Sequence, residues 1–403
     1  MGAGHVAAQV LLICSWLLAL AWLGQALAAL RGIPHLPDLT LLDGEALPAL
    51  PSSQGPDLTV IVPACNEEES IQATLRSLLS STGLRLQIIA VDDRSTDRTG
   101  ERMDSIAAQA QAAGGLHTLE VIHNRELPAG WLGKPHAMHL AVERATAPWL
   151  LFTDADVAFD PRALALSLRY AMAEKADHVV LILTLILKST GEAAMLAAMN
   201  ALAQWNIRLW RVADPRAKDF FGAGGFNLVR REVFERLGGF EALRMQVVED
   251  LALGWKVKRA RYRQRIVLGH GLARIRWLQG ALGVLKLTEK NGFAVFRYRI
   301  GVALLVCLGL TADVVLPLAA LAAGGWTSVA GLLTYAAIFL AYFGNRRVTQ
   351  VPPWLAIFFA PATTIVLFAF LRSILLTLGR GGVQWRGTLY PLGALRRNAQ
   401  TGW

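Results

Sequence analysis

Four long apolar runs lie towards the two ends of the chain, and none of comparable length lies between residues 31 and 299. Val6–Leu30 holds no Lys, Arg, Asp or Glu. At about 1.5 Å per residue it is long enough to cross a hydrocarbon core of roughly 30 Å. Ile300–Leu321, Ser328–Phe343 and Trp354–Leu378 are the other three. A chain patterned this way is expected to place its ends in or on a bilayer and to fold its middle as a water-facing unit. Composition agrees: 17% of its 403 residues are charged, against about 25% in soluble domains.

The first run has a rival reading as a cleaved signal peptide, with Ala26-Leu27-Ala28 as the cleavage pattern. No Lys or Arg precedes it, and it exceeds the roughly 7–15 residues usual for such an apolar region, so residues 1–30 read as an uncleaved anchor. The net charge of +10 is concentrated in one block: Lys256–Arg299 holds 12 basic residues and one acid, Glu289. A basic block beside a membrane segment reads as a juxtamembrane signal rather than a nucleic-acid surface. Arg346 and Arg347 lie in the next short link. By the positive-inside rule both belong to the cytoplasmic side, which makes the chain a multi-pass protein of the cell (inner) membrane with residues 31–299 cytoplasmic. One conflict follows. Four full crossings would carry Arg380, Arg386, Arg396 and Arg397 to the outer face; Pro361, inside the last run, offers the alternative of a re-entrant or interfacial segment. Asp313 is an acid inside the second run, open to a functional reading or to simple pairing with a neighbouring helix. Disorder is excluded by the apolar content, and a disulfide scaffold by having three cysteines, two of them inside apolar runs.

Residues 31–56 read as a linker. Beyond them, short apolar strands alternate with amphipathic helices. Strands are expected at Leu58–Pro63, Leu86–Val91, Leu119–Ile122, Trp149–Thr153 and His178–Leu187. Helices are expected near Glu67–Ser80, Arg98–Ala113, Lys134–Ala145 and Arg162–Ala173. Continuous apolar strands in this alternation indicate an α/β domain with a mostly parallel sheet covered on both faces. Such sheets bind ligands at the carboxyl ends of their strands.

Those ends are acidic. The first leads into Pro63-Ala64-Cys65-Asn66-Glu67-Glu68-Glu69, the second into Asp92-Asp93-Arg94-Ser95-Thr96-Asp97, and the fourth into Asp154-Ala155-Asp156. Each alone has an ordinary reading as a helix N-cap, and Asn66 and Asp97 read that way when taken singly. Together they crowd carboxylates onto one rim, which is repulsive unless a cation or proton neutralises it. An Asp-x-Asp there suits Mg²⁺ or Mn²⁺ held by Asp154 and Asp156, with phosphate oxygens and water completing the shell. Lys134, in Gly133-Lys134-Pro135, can offer an ammonium to phosphate, or be a solvated surface lysine. Gly222-Ala223-Gly224-Gly225, ahead of a helix expected near Arg230, allows close backbone approach to a ligand, whereas Gly238-Gly239 reads as a tight turn. In Val247-Val248-Glu249-Asp250, the aspartate is either a cap or a general base for an alcohol.

In this order, the segments resemble family 2 glycosyltransferases of the GT-A fold. Val62–Glu68 is similar to their opening V-P-x-x-N-E-E element and Val91–Asp97 to V-D-D-x-S-x-D. Asp154-Ala155-Asp156 resembles the metal-binding D-x-D, Gly225–Phe240 the acceptor-side segment ending in G-G-F, and Glu249-Asp250 the E-D pair whose aspartate is the base. The flanking spans resemble the membrane-bound, lipid-directed branch: hopene-associated, carotenoid and ceramide glycosyltransferases. Trp385–Tyr390 is similar to a W-K-G-R-x-Y tail in some of these. The resemblance implies a GT-A Rossmann-like domain over residues 57–292, a membrane region over 293–378 and a basic tail over 379–403. It implies a donor side of Pro63, Asn66, Glu67, Asp92, Asp93, Lys134 and Asp154, a metal on Asp154 and Asp156, Asp250 as base, and an acceptor side including Gly224, Glu249, Arg276 and Trp277. The (Q/R)-x-x-R-W element of processive members is incomplete, with Ala273 three positions before Arg276. Inverting transfer from a nucleotide-diphosphate sugar, a UDP-sugar in the first instance, to a membrane lipid is therefore expected ahead of a polysaccharide synthase or a catalytically silent scaffold. No nucleic-acid partner is expected. The Met195–Trp210 stretch is expected either to lie in the membrane interface or to be ordinary packing.

Overall fold

The computed structural model describes residues 3–42, 47–50, 54–277 and 280–402. In chain order its helices and strands are α1 (Ala3–Gly32), β1 (Leu58–Ala64), α2 (Ile71–Leu79), β2 (Leu86–Asp93), α3 (Thr99–Ala113), β3 (Thr118–Asn124), α4 (Gly133–Val142), β4 (Trp149–Phe152), β5 (Val157–Phe159), α5 (Ala163–Ala173), β6 (His178–Ile182), β7 (Thr184–Leu185) and α6 (Thr190–Ala203). Then follow β8 (Asn227–Arg230), α7 (Arg231–Arg236), α8 (Glu249–Arg259), β9 (Gln264–Leu268), β10 (Ala273–Ile275), α9 (Gly280–Val295), α10 (Ile300–Ala323), α11 (Gly325–Thr349), α12 (Phe359–Gly379), β11 (Gly382–Trp385), β12 (Thr388–Pro391) and α13 (Leu392–Gly402). They form two compact units. One comprises Met1–His35, Leu187–Trp210 and Leu278–Leu392; the other comprises Leu36–Ile186, Arg211–Trp277 and Gly393–Trp403.

The second unit is built on a seven-stranded sheet of order β3-β2-β1-β4-β8-β6-β9. β1, β2, β3 and β4 are parallel, as their unbroken apolar runs predict. Alternation along β1 serves two cores. Leu58, Val60 and Val62 join the layer holding α2, α3 and α5 residues, while Ile61 joins the layer of α4, α7 and α8. Each such fully buried side chain stabilises the fold by about 1.5–3 kcal/mol.

Two departures from the sequence reading matter for the site. β8 runs antiparallel between β4 and β6. Its four residues carry too little pattern to be recognised, and burial between two neighbours rather than propensity makes them a strand. The strand expected over His178–Leu187 also splits at Leu183. β6 stays in the main sheet, while β7 joins β10 and β5 in a three-stranded sheet.

Among the described residues, the first unit holds four helical segments long and apolar enough to cross a membrane: Gly4–His35, Ile300–Ala323, Gly325–Thr349 and Pro353–Gly379. α10 and α11 form a hairpin around Gly331, where a Cβ would stand 2.9 Å from the Pro317 carbonyl oxygen; only a residue this small lets the backbones come so close. Pro361 sits in the first turn of α12, where a missing N–H costs little, so the helix is continuous. Asp313 accepts the Trp22 indole N–H at 2.8 Å, so it is paired with a neighbouring helix. The Met195–Trp210 stretch includes most of α6, and Trp205 packs edge-on to Trp22 with ring centroids 5.2 Å apart.

Candidate active site

Strand register brings the acidic segments to one edge. Ala64 pairs with Asp92, Asp92 with His123, and Asp93 with Asn124, so β1, β2 and β3 end level. Phe152 of β4 pairs with Asn227 of β8. The antiparallel reversal therefore sets the glycine loop preceding β8 beside the Asp-x-Asp that follows β4. Thr153 donates its hydroxyl to the Gly225 carbonyl at 2.9 Å, fixing that neighbourhood. Ile275 of β10 pairs with Val157 of β5, so Arg276 is the next register position opposite Asp156, and exposed Trp277 follows. Pro63 is buried in β1 opposite Val91, two residues beyond Ile61, where pairing with β4 ends.

Lys134 is the hub. Its Nζ stands 2.7 Å from Asp154 Oδ1 and 2.7 Å from Glu249 Oε1. Burial opposes its charge, but Asp154, Glu249 and Asp250 together outweigh that and hold its pKa above the usual lysine range. α4 opens at Gly133 and so points this ammonium towards the rim. A Cβ on Gly133 would lie 2.6 Å from Asp93 Oδ2. A Cβ on Gly224 would lie 2.8 Å from Asp154 Oδ2 and 3.1 Å from Lys134 Nζ. Both glycines are needed for close approach, not for a turn. Gly238, with φ +90°, and Gly239, with φ +55°, are turn residues, as expected.

Asp156 stands at the open rim, yet protein desolvation, then Asp154 and Glu67, push its carboxyl up to about 7. Asp250 is partly buried at the start of α8, and burial followed by the Glu249 charge raises it to about 6. Its Oδ1 accepts the Leu251 N–H at 2.8 Å. Asp92 and Asp93 are almost fully buried and already bonded. Asp92 accepts from Ser95 N–H and faces His123 Nδ1 at 3.1 Å, a contact that, ahead of burial, raises the His123 pKa. Asp93 accepts from Arg94 and from Asn124 Nδ2.

Asn66 is not a helix cap. At φ +57° it accepts the Thr96 N–H at 2.8 Å and takes Ser95 Oγ on its own N–H, tying the first strand's loop to the second's. Asp97 accepts the Thr99 N–H and hydroxyl one residue ahead of the α3 N-cap position, Arg98. Glu67 donates its backbone N–H to Thr99 Oγ1.

Asp154 and Asp156 suit a hard divalent ion. They supply two carboxylates at one rim, and Mg²⁺ or Mn²⁺ takes one or two such ligands plus phosphate and water. Among the described residues no group of three or more His, Cys, Asp or Glu side chains is placed to hold a metal ion, so an ion on Asp154 and Asp156 would need further ligands from substrate and solvent.

Sequence reasoning missed the support beneath the site. Gln264 of β9 accepts the Phe221 N–H and donates to the carbonyls of Phe221 and Gly254. Its amide also meets His178 Nδ1 at 2.7 Å, and His178 Nε2 meets Asn227 Oδ1. Burial lowers His178 to about 4, so the ring is neutral. This network fixes Phe221, and with it the following glycine loop, against α8. A single Gln in a short strand carries no pattern that reveals it.

Known proteins resemble this chain in sequence and in fold. Residues 59–238 match the family model described as glycosyl transferase family 2. Several Staphylococcus aureus 4,4'-diaponeurosporenoate glycosyltransferases are 25% identical over 199 residues, 49% of this chain and 50% of theirs, so the match spans about half the length of those relatives. A Pyrobaculum calidifontis mannosyltransferase solved with GDP-Man and Mn²⁺ superposes with a TM-score of 0.51 at 17% identity, covering 91% of this chain and 98% of that one. That likeness establishes the GT-A fold. With the level strand ends, residues 59–238 are similar to a glycosyl transferase family 2 domain.

Proposed function

We propose that the protein transfers a sugar from a nucleotide-diphosphate sugar to the hydroxyl of a membrane lipid, with inversion, from the cytoplasmic face of a cell membrane. The observation that carries this reading is the convergence of Lys134, Asp154, Glu249 and Asp250, with Asp250 raised to about 6. A carboxylate of that basicity, oriented by its bond to Leu251 N–H, is suited to take a proton from an alcohol near neutral pH. The acceptor oxygen bonds to the anomeric carbon as the bond to the diphosphate oxygen breaks. The acceptor's proton goes to Asp250, and one displacement inverts the centre.

Lys134 holds Asp154 and Glu249 in place and sets a positive charge where the leaving diphosphate develops negative charge. A divalent ion on Asp154 and Asp156, when bound, supplies further neutralisation of that charge. Asp92 and Asp93 form the nucleoside end, already ordered by His123, Arg94 and Asn124. Pro63, Asn66 and Glu67 shape the donor edge. Arg276 and Trp277, one register step from Asp156, stand with Gly224 on the acceptor side. The relatives named for a carotenoid-type acid and the apolar helices of spanning length support a lipid acceptor.

The direct test is purified full-length protein with a panel of UDP- and GDP-sugars, membrane lipid extract and Mg²⁺ or Mn²⁺, read by mass spectrometry. A lipid gaining one hexose mass is the expected product. Donor hydrolysis alone, or a polymer, would contradict the proposal.

A further inference from the structure

We infer that α12 does not cross the bilayer: the chain crosses through α1, α10 and α11, and α12 enters and leaves the apolar layer from the side that holds the catalytic unit. This extends the membrane placement proposed above and answers the charge conflict of the tail.

Both ends of α12 are tied to that side by different contacts. At its start, Arg347 in the last turn of α11 donates to the Pro34 carbonyl at 2.8 Å. Pro34 lies two residues before the chain enters the catalytic unit at Leu36. α11 therefore ends where α1 ends, and only Gln350–Phe358 separates it from α12. At its far end, Arg380 Nη1 stands 2.8 Å from Glu289, and Arg372 pairs with the same carboxylate. Ser373 Oγ donates to the Glu289 carbonyl at 3.0 Å and accepts the Phe293 N–H. Glu289 belongs to α9, twelve residues after Trp277 leaves the catalytic unit. Twelve residues span about 18 Å as helix, too short for even one crossing of roughly 30 Å, and α9 carries Lys286, Glu289 and Lys290. Glu289, and with it the end of α12, stays on the catalytic side.

A third observation stands apart from these. α13 packs within the catalytic unit, with Gln246 Nε2 donating to the Asn398 carbonyl at 2.8 Å. The chain leaves that unit at Trp277 and re-enters it at Gly393, so the crossings between must be even in number. α10 and α11 supply two. Between its ends α12 still dips into the apolar layer. Phe359 packs edge-on to Trp22 with centroids 5.3 Å apart, and Trp22 lies ten residues, about 15 Å, before the end of α1. One face of α12 is buried through Ala362, Val366 and Ala369, and Phe368, Leu371, Leu375 and Leu378 face outward. The partner for that face is the acyl layer of a single leaflet. Arg372, Arg380, Arg386, Arg396 and Arg397 then share the side of the Lys256–Arg299 block, as the positive-inside rule requires.

The test uses the full-length protein with Cys14, Cys65 and Cys307 replaced by Ala and one new cysteine at a time: W326C at the α10–α11 turn, Q109C on the catalytic unit, or Q384C in the tail. A membrane-impermeant maleimide is applied to intact cells and to inverted vesicles, with retained activity as the folding control. Q384C is expected to label from the same face as Q109C and from the face opposite W326C. Labelling of Q384C from the face of W326C would overturn the inference. If Q109C and Q384C both label in intact cells, the inference stands and the cytoplasmic placement proposed above is wrong.

Discussion

Lys134 Nζ and Glu249 Oε1 are 2.7 Å apart, and Glu249 is the immediate neighbour of Asp250. One ammonium thus bridges the Asp-x-Asp after β4 to the pair that opens α8, linking the proposed donor and acceptor sides. Removing it leaves Asp154, Glu249 and Asp250 facing each other without their cation. Lys134→Met is expected to lower turnover by about 10²–10³-fold. It is also expected to move the acid limb of the pH–rate profile to higher pH, because Lys134 is what opposes the rise of Asp250. A pH–rate series on the variant membrane preparation reads both effects.

For wild type, activity should need Asp250 ionised. Its pKa is raised to about 6, so kcat/KM is expected to be level above that value and to fall tenfold per pH unit below it. Stability carries the opposite sign. A carboxyl with a raised folded-state pKa contributes stability below its unfolded value near 3.9 and loses it as pH rises through about 6. Asp250→Asn should therefore melt higher than wild type at pH 7.5 while being nearly inactive. A thermal shift in detergent checks this, and a variant that melts lower would point to a structural role instead.

Gly224→Ala separates close approach from folding. The added Cβ would lie 2.8 Å from Asp154 Oδ2 and 3.1 Å from Lys134 Nζ, displacing the two groups proposed above to meet the diphosphate. Turnover should drop at least tenfold with the melting temperature nearly unchanged. Gly222→Ala, whose Cβ would strike the Asp250 carbonyl, should lower both.

Gln264→Ala tests the buried support. It leaves the Phe221 N–H and two carbonyls without their partner, which costs about 1–3 kcal/mol for such a buried group. A clear fall in melting temperature is expected, accompanied by lost activity because the glycine loop rests on this contact. Unchanged melting would show that water replaces the amide.

The parallel half of the sheet was legible because β1, β2 and β4 are continuous apolar runs with turn residues between them. Their ends were legible because Asp92, Asp93, Asp154 and Asp156 recur there. β8 was not, since four residues with two apolar side chains have no periodicity and gain strand geometry only from neighbours. Arg276 and Trp277 stand out in the sequence, but their step from Asp156 depends on a pairing between β5 and β10 more than a hundred residues apart. Asn66 misled when read singly: its partner is Thr96, thirty residues on, and local cap statistics carry no such information. The tail's side was ambiguous for a similar reason. Length and hydropathy score α12 as a span, whereas the Glu289–Arg380 and Arg347–Pro34 contacts are tertiary.

Divalent ion removal should abolish transfer while leaving the protein folded, since Asp154 also has Lys134 as a partner. Chelation followed by Mg²⁺ or Mn²⁺ titration is expected to restore turnover, and Asp156→Asn to weaken the ion's apparent affinity. Full activity after exhaustive chelation would remove the metal from the account.

The most direct measurement of the central claim is single-turnover transfer by Asp250→Asn in purified full-length protein, with the anomeric configuration of the wild-type lipid product determined alongside. The account predicts inversion, together with a rate at least about 10³-fold below wild type and donor binding nearly unchanged. Wild-type transfer by Asp250→Asn, or retention of configuration, would contradict it.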